Sequence, residues 1–251
     1  LSLIRPSPAF RRESLELLLT LATALALAVA LRVLLFQPYT IPSSSMEPGL
    51  VTGDYLIVSK FPYGWSRASL PLNPQWPHGR LLGHGPKRGD VVVFLLPRDE
   101  SWTYVKRVIG LPGDRVQVIG GAVYVNGRAV PRTPIGETFD HDDPGRRVMR
   151  ISEPRPDGKP YVTFGGEPDH DGENTGVYVV PRGRYFMMGD NRENSLDSRW
   201  PREVGVGFVP AENIVGRAQI VLASWKPGVS LLKPWTWITH LDVHRLLKPV
   251  I

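Results

Sequence analysis

The chain contains no cysteine. That absence excludes disulfides, thiol nucleophiles and every cysteine-ligated zinc or iron–sulfur centre. Residues 1–37 hold no glycine and only two prolines, Pro6 and Pro8, although the whole chain has 25 of each. The other 48 of these 50 helix breakers fall in the remaining 214 residues. A bundle of long helices is disfavoured there, and short strands joined by turns fit instead. Acidic residues are also in deficit, 24 Asp and Glu against 30 Lys and Arg, for a net charge of +6. Such an excess suits an anionic partner, a membrane surface or a nucleic acid, and does not choose between them.

The breaker-poor stretch contains residues 17–36, twenty residues whose one charge is Arg32. As a helix this run is about 30 Å long, the thickness of a bilayer's hydrocarbon core. Arg32 lies near its end, where a long stem can snorkel to the headgroups, and Pro38 is expected to stop the helix. Ala26, Ala28 and Ala30 resemble the small-residue site of a cleaved leader, but the apolar run continues beyond them to Phe36. A soluble core helix would carry more polarity around its circumference. A retained transmembrane helix is therefore expected. Arg5, Arg11 and Arg12 precede it, which assigns residues 1–16 to the cytoplasm and residues 37–251 to the opposite side.

The body reads as strands at 55–58, 90–96, 102–109, 177–180, 185–188, 204–209 and 214–222. Pro112-Gly113 suits a type II turn, and Asn126-Gly127 a type I′ hairpin turn within 123–130. Residues 131–176 hold 14 glycines and prolines in 46 positions, the pattern of an inserted, loop-rich subdomain. The fold expected is mainly β: one N-terminal transmembrane helix, then an antiparallel β-sheet body with that insert. The tail, 225–251, carries Trp225, Trp235 and Trp237 with four basic residues against one acid, Asp242. Two readings of the tail stand, docking at a membrane interface or an ordinary terminal helix packed on the body.

Three segments could carry chemistry. Ser43, Ser44 and Ser45 lie between Pro42 and Pro48, and alone would read as a polar linker. In the strand Tyr104-Val-Lys-Arg-Val108, alternation puts Tyr104, Lys106 and Val108 on one face and Val105, Arg107 and Ile109 on the other. One face must set a basic side chain among apolar neighbours, and the strand alone does not say which. If it is Lys106, burial disfavours the ammonium, and a neutral amine can take a proton from a serine hydroxyl. Third, nine of the eleven residues from Gly189 to Arg199 are polar or charged, directly after an apolar strand. Polar groups that dense beside a core strand hold something in place.

Together these segments resemble the bacterial type I signal peptidases. The resemblance rests on Ser45-Met46-x-Pro48 after a membrane helix, Gly89-Asp90-Val-Val-Val-Phe94 and Tyr104-Val-Lys-Arg-Val-Ile-Gly-Leu-Pro-Gly-Asp114. Gly189-Asp-Asn-Arg-x-Asn-Ser-x-Asp-Ser-Arg199 completes the set, in the family's order. It implies a membrane-bound serine endopeptidase of the bacterial inner membrane that frees exported preproteins from their signal peptides after Ala-x-Ala. Ser45 would be the nucleophile and Lys106 the general base. Ser43 would complete an oxyanion hole with the Ser45 backbone N–H. Ser195 would orient the lysine amine, with Asp190, Asp197 and Arg199 as charged support. Small apolar pockets would be walled by Tyr39, Ile41, Met46, Leu50, Val93, Tyr104 and Val105. The partners implied are preproteins and the bilayer, not nucleic acid, and no metal or cofactor is expected.

Other readings fit less well. A self-cleaving repressor domain also uses a Ser–Lys dyad, but would lack the span and carry a DNA-binding helix-turn-helix. None of the six histidines lies in a recognised hydrolase motif, and no Gly-x-Ser-x-Gly elbow occurs. Asp140-His141-Asp142-Asp143 and Asp169-His170-Asp171 read as solvated acidic loops, since no i, i+4 histidine pair accompanies them. A membrane-anchored scaffold with a lapsed dyad is the non-enzymatic alternative.

Overall fold

The computed structural model describes residues 8–71, 73–74, 79–166, 170–226, 228–229, 233 and 235–251. Arg5 and Asp169, which entered the sequence reading, lie outside the described residues. Helix α1 (Pro8–Leu34) contains the segment Arg12–Leu34, within which an 18-residue stretch has mean hydropathy 2.3 and none of it is buried in the body. It is long and apolar enough to cross a membrane, and it has no protein surface to pack on.

Helix α1 ends at Leu34, before the expected boundary at 36 and before Pro38, because β1 (Phe36–Thr40) begins there and pairs Phe36 with Ser59. The last helical carbonyls are capped by the body: Lys60 Nζ donates to Val33 O at 3.2 Å and Trp65 Nε1 to Leu34 O at 2.9 Å. Carbonyls left without helical partners are satisfied this way, and a cation suits that end of the helix.

Next in chain order come β2 (Asp54–Ser59), β3 (Val91–Leu96), β4 (Asp99–Gly110), β5 (Arg115–Ile119), β6 (Ala122–Val125) and β7 (Arg128–Ala129). The insert supplies β8 (Thr133–Phe139), β9 (Arg147–Pro154) and β10 (Pro160–Gly165). The remainder are β11 (Tyr178–Val179), β12 (Arg184–Met188), β13 (Val209–Pro210), β14 (Ile214–Ser224) and β15 (Lys248–Pro249). The main sheet runs β1-β2-β14-β3-β4-β12-β13, with β15 added on β14. A three-stranded sheet, β10-β9-β8, and a four-stranded one, β11-β5-β6-β7, flank it. All the strand pairings among them are antiparallel.

The unbroken run Val-Val-Val-Phe-Leu-Leu of β3 is explained by cover on both faces. Val91 and Val93 join one core with Ile41, Met46, Leu56 and Val105, while Val92, Phe94 and Leu96 join another with Val108, Met187 and Val206. The turn chemistry is as expected: Asn126 and Gly127 have φ of 53° and 77°, and Gly113 has φ of 91°.

Two segments differ from simple expectation. Residues 204–209 form a strand only at Val209, because Val204 N and Gly205 N both bond back to Pro201 O and Gly207 takes φ of 60°. The breaker-rich segment 131–176 carries the three strands of a sheet, with Gly136 at a bulge and Gly158 in a turn. In the tail, Trp225 Nε1 donates to Trp237 O at 2.9 Å, and Arg245 forks onto Asp54 at 2.7 and 2.5 Å. The first contact folds the tail on itself and the second packs it on the body, while Trp235 and Ile238 of its short helix stay exposed.

Candidate active site

Ser45 sits in one turn of 3-10 helix, Ser44–Met46, entered from extended backbone at Ser43. Met46 anchors that turn, being fully buried in the core. The main-chain carbonyls behind it are held by one asparagine: Asn191 N donates to Ser45 O at 3.2 Å and Asn191 Nδ2 to Ser44 O at 3.3 Å. Asn194 Nδ2 donates to Ser44 Oγ at 2.9 Å. The polar segment after β12 thus holds the serine turn through the buried Asn191 and the exposed Asn194.

Lys106 is on β4, a strand flanked by β3 and β12, and only 3% of it is exposed. Its Nζ lies 2.5 Å from Ser45 Oγ. Burial lowers the amine's pKa to about 8, against the pull of Asp197 and Asp190, which favour the ammonium. At this distance a neutral amine can accept the serine proton. Ser43 Oγ stands 3.4 Å from Ser45 Oγ at the open edge of the site.

Arg107 answers the question left by the strand's alternation, since it is buried as well. Its guanidinium forks onto Asp190 at 2.7 and 2.6 Å, donates to Gly89 O, and lies 3.9 Å above the Tyr161 ring. Asp197 accepts both arms of Arg199 at 2.9 Å and the Gly189 amide at 3.0 Å. A third buried pair, Arg192 with Glu153 at 3.0 and 2.6 Å, ties the same segment to β9. Each of these three charges is matched by a bidentate partner, the arrangement that makes buried ions tolerable.

Beside the serine a cleft of about 350 Å³ is lined by Tyr39, Ile41, Val93, Trp102, Tyr104, Val105 and Leu196, with Ser43, Ser45 and Lys106 at its polar end. The lining is mainly apolar, and the Ser45–Lys106 pair lies at its polar end.

A family profile described as "Signal peptidase, peptidase S26" matches residues 14–225. The chain belongs to that family. Signal peptidase I of Rickettsia typhi is 36% identical over 241 residues, covering 89% of both chains. Signal peptidase I of Rickettsia akari is 37% identical over 247 residues, covering 90% of each. A signal peptidase I crystal structure from Enterococcus faecalis is 24% identical, with a TM-score of 0.33, covering 53% of this chain and 97% of the other. Membership makes this chain a serine peptidase of the S26 class, a hydrolase that removes signal peptides.

Most of the residues expected at the peptidase site converge. Ser43, Ser45, Lys106 and five of the seven expected pocket residues surround the cleft. Met46 and Leu50 do not: both are fully buried beneath it and border a second cavity with Arg107, Asp190 and Ile251. Met46 anchors the serine turn in the core as well as bordering that cavity. Ser195 is buried beside Gly189, but among the described residues its Oγ makes no hydrogen bond, including none to Lys106. Trp102, Asn191, Asn194 and Leu196 were missed. Alternation on β4 places Trp102 on the face of Tyr104 and Lys106, which is the signal that could have found it.

Proposed function

We propose that this signal peptidase cuts exported preproteins after an Ala-x-Ala motif, using Ser45 as nucleophile and Lys106 as general base. The observation that carries the reading is the 2.5 Å approach of a buried, depressed-pKa amine to the serine hydroxyl. Ser45 Oγ attacks the carbonyl of the residue at −1 while Lys106 Nζ takes its proton. The developing oxyanion is held by the Ser45 N–H and the Ser43 hydroxyl, an arrangement commonly worth a few kcal/mol per donor. Lys106 then protonates the leaving amine, which departs as the new N-terminus of the mature protein. A water deprotonated by Lys106 hydrolyses the ester, releasing the signal peptide and restoring Ser45.

The mainly apolar lining of the cleft supports a preference for small apolar side chains such as alanine. Asp197 with Arg199 and Asp190 with Arg107 brace the segment that holds the serine turn. Ser195, whose Oγ makes no hydrogen bond among the described residues, is given the role of orienting the lysine amine by family resemblance, and a rotation of its hydroxyl toward Lys106 is what that role requires. Helix α1 anchors the enzyme in the bacterial inner membrane with the N-terminus cytoplasmic and the cleft on the outer side, a reading supported by the helix's apolar surface and by Arg11 and Arg12 before it. The test is cleavage of a preprotein bearing Ala-x-Ala by the full chain in detergent. Ser45→Ala should abolish processing, and full retained cleavage would rule out the nucleophile.

A further inference from the structure

Two residues beyond the nucleophile, Glu47 is completely buried. Its Oε2 accepts from the His141 backbone N–H at 3.1 Å, whereas its Oε1 is buried and makes no hydrogen bond among the described residues. A carboxylate oxygen left bare in a protein interior is costly, and it normally meets a donor or a cation. Oε1 points at the loop between β8 and β9, where His141 Nδ1 lies 3.8 Å from it. Asp142 Oδ1 is 3.2 Å from the same nitrogen, and one ligand atom from each of the three residues lies within 4.8 Å of the others.

We propose that Glu47, His141 and Asp142 form a divalent-cation site joining the insert to the segment that carries the nucleophile. Bonds of roughly 2.1 Å from a tetrahedral ion place its ligands about 3.4 Å apart, the scale of the two distances observed. One imidazole and two carboxylates form a donor set suited to zinc and its neighbours in the first transition row. The two carboxylates supply a charge matched to a divalent ion when His141 is neutral.

Neighbouring groups set the ligands' orientation as supporting hydrogen bonds do at metal centres. Thr52 Oγ1 donates to Asp142 Oδ2 at 2.6 Å, leaving Oδ1 for the ion. Asp140 is engaged elsewhere, accepting from the Asp142 and Asp143 amides and pairing with Arg146 at 3.5 Å. Because His141 and Asp142 are part-exposed, with side chains 43% and 34% accessible, an ion can enter from solvent and keep a water ligand. The acidic loop that sequence patterning gave to solvent is thus brought against a buried acid that no local pattern reveals.

The test is direct binding by the full chain in detergent micelles, so it does not depend on the peptidase mechanism. Co²⁺ is titrated while its visible absorption is followed, and Zn²⁺ is then added as competitor. About one equivalent should bind saturably and be displaced by zinc. His141→Gln and Asp142→Asn, both at part-exposed positions, should each weaken binding by roughly 10-fold or more. Zinc should also raise the melting temperature of the parent protein and leave that of His141→Gln unchanged. Glu47→Gln should behave like His141→Gln, and if it fails to fold the exposed variants still decide. Absence of a saturable band up to about 1 mM Co²⁺, or equal binding by His141→Gln, would overturn the site.

Discussion

Lys106 and Arg107 are consecutive residues of β4, and both are buried with opposite electrostatic outcomes. Arg107 carries its charge into the interior with Asp190 clasped in its fork, whereas the Lys106 amine, among the described residues, meets a serine hydroxyl and no carboxylate at hydrogen-bond distance. One site is built to keep a charge and the other to shed one.

Asp190→Ala leaves the Arg107 guanidinium buried without its counter-ion. Removing one partner of a buried pair costs about 3–5 kcal/mol, so the melting temperature should fall by roughly 10 °C or more. Thermal denaturation followed by circular dichroism measures it, and an unchanged midpoint would show that Gly89 O and the Tyr161 ring suffice for Arg107.

Lys106→Met should destroy activity while stabilising the fold. The folded-state pKa of Lys106 is lowered from 10.5 to about 8, so below pH 8 the native protein must hold a buried ammonium. The unfolded chain binds that proton more readily between pH 8 and 10.5, and this group's contribution to stability therefore rises with pH across that window. At pH 7 the methionine variant escapes the penalty, a gain on the order of 1–3 kcal/mol. Denaturant unfolding at pH 7 and pH 10 checks both sign and window. A variant less stable than the parent at pH 7 would contradict the burial cost.

Gly189→Ala should impair the site from behind. A Cβ there would run into Ser195 Oγ and Ser45 O, and the second is main chain that cannot step aside. Overpacking of this kind costs about 1–3 kcal/mol and displaces the serine from the amine. Cleavage should drop at least ~100-fold, since ångström-scale misplacement is enough for that loss. Initial rates on a preprotein substrate measure it.

Much of this molecule could be read before any coordinates. The Asn126-Gly127 hairpin, the Pro112-Gly113 turn and the strand holding Lys106 follow from local sterics and periodicity, which act within a few residues. What sequence could not supply were relationships set by packing across the chain. Alternation offered Lys106 or Arg107 as the buried cation, and the answer was both, because insert residues such as Tyr161 cover Arg107. Met46 and Leu50 are apolar residues close in sequence to Ser45, and nothing local says which of the two neighbouring cavities they border. Residues 204–209 alternate like a strand, yet turns at Pro201 and Gly207 claim their backbone bonds first. The sheet within 131–176 was hidden by breakers, some in its turns, as Gly158 is, and some inside or at the ends of its strands, as Pro134, Pro154, Pro160 and Gly165 are.

Trp102 lines the cleft but is 62% exposed, so it serves the ligand more than the core. Trp102→Ala should leave the melting temperature within about 1–2 °C of the parent, as exposed substitutions usually do. KM for a signal-peptide substrate should rise roughly 10-fold with kcat less affected, the pattern of lost ground-state binding. Steady-state kinetics separate the two, and an unchanged KM would remove Trp102 from the binding surface.

The pH dependence of kcat/KM on a preprotein bearing Ala-x-Ala tests the Ser45–Lys106 pair most directly. The amine must be neutral to accept the serine proton, and its pKa is about 8. The rate should climb close to tenfold per pH unit below that value and level off above it. A profile flat from about pH 6 to 9 would contradict a lysine base.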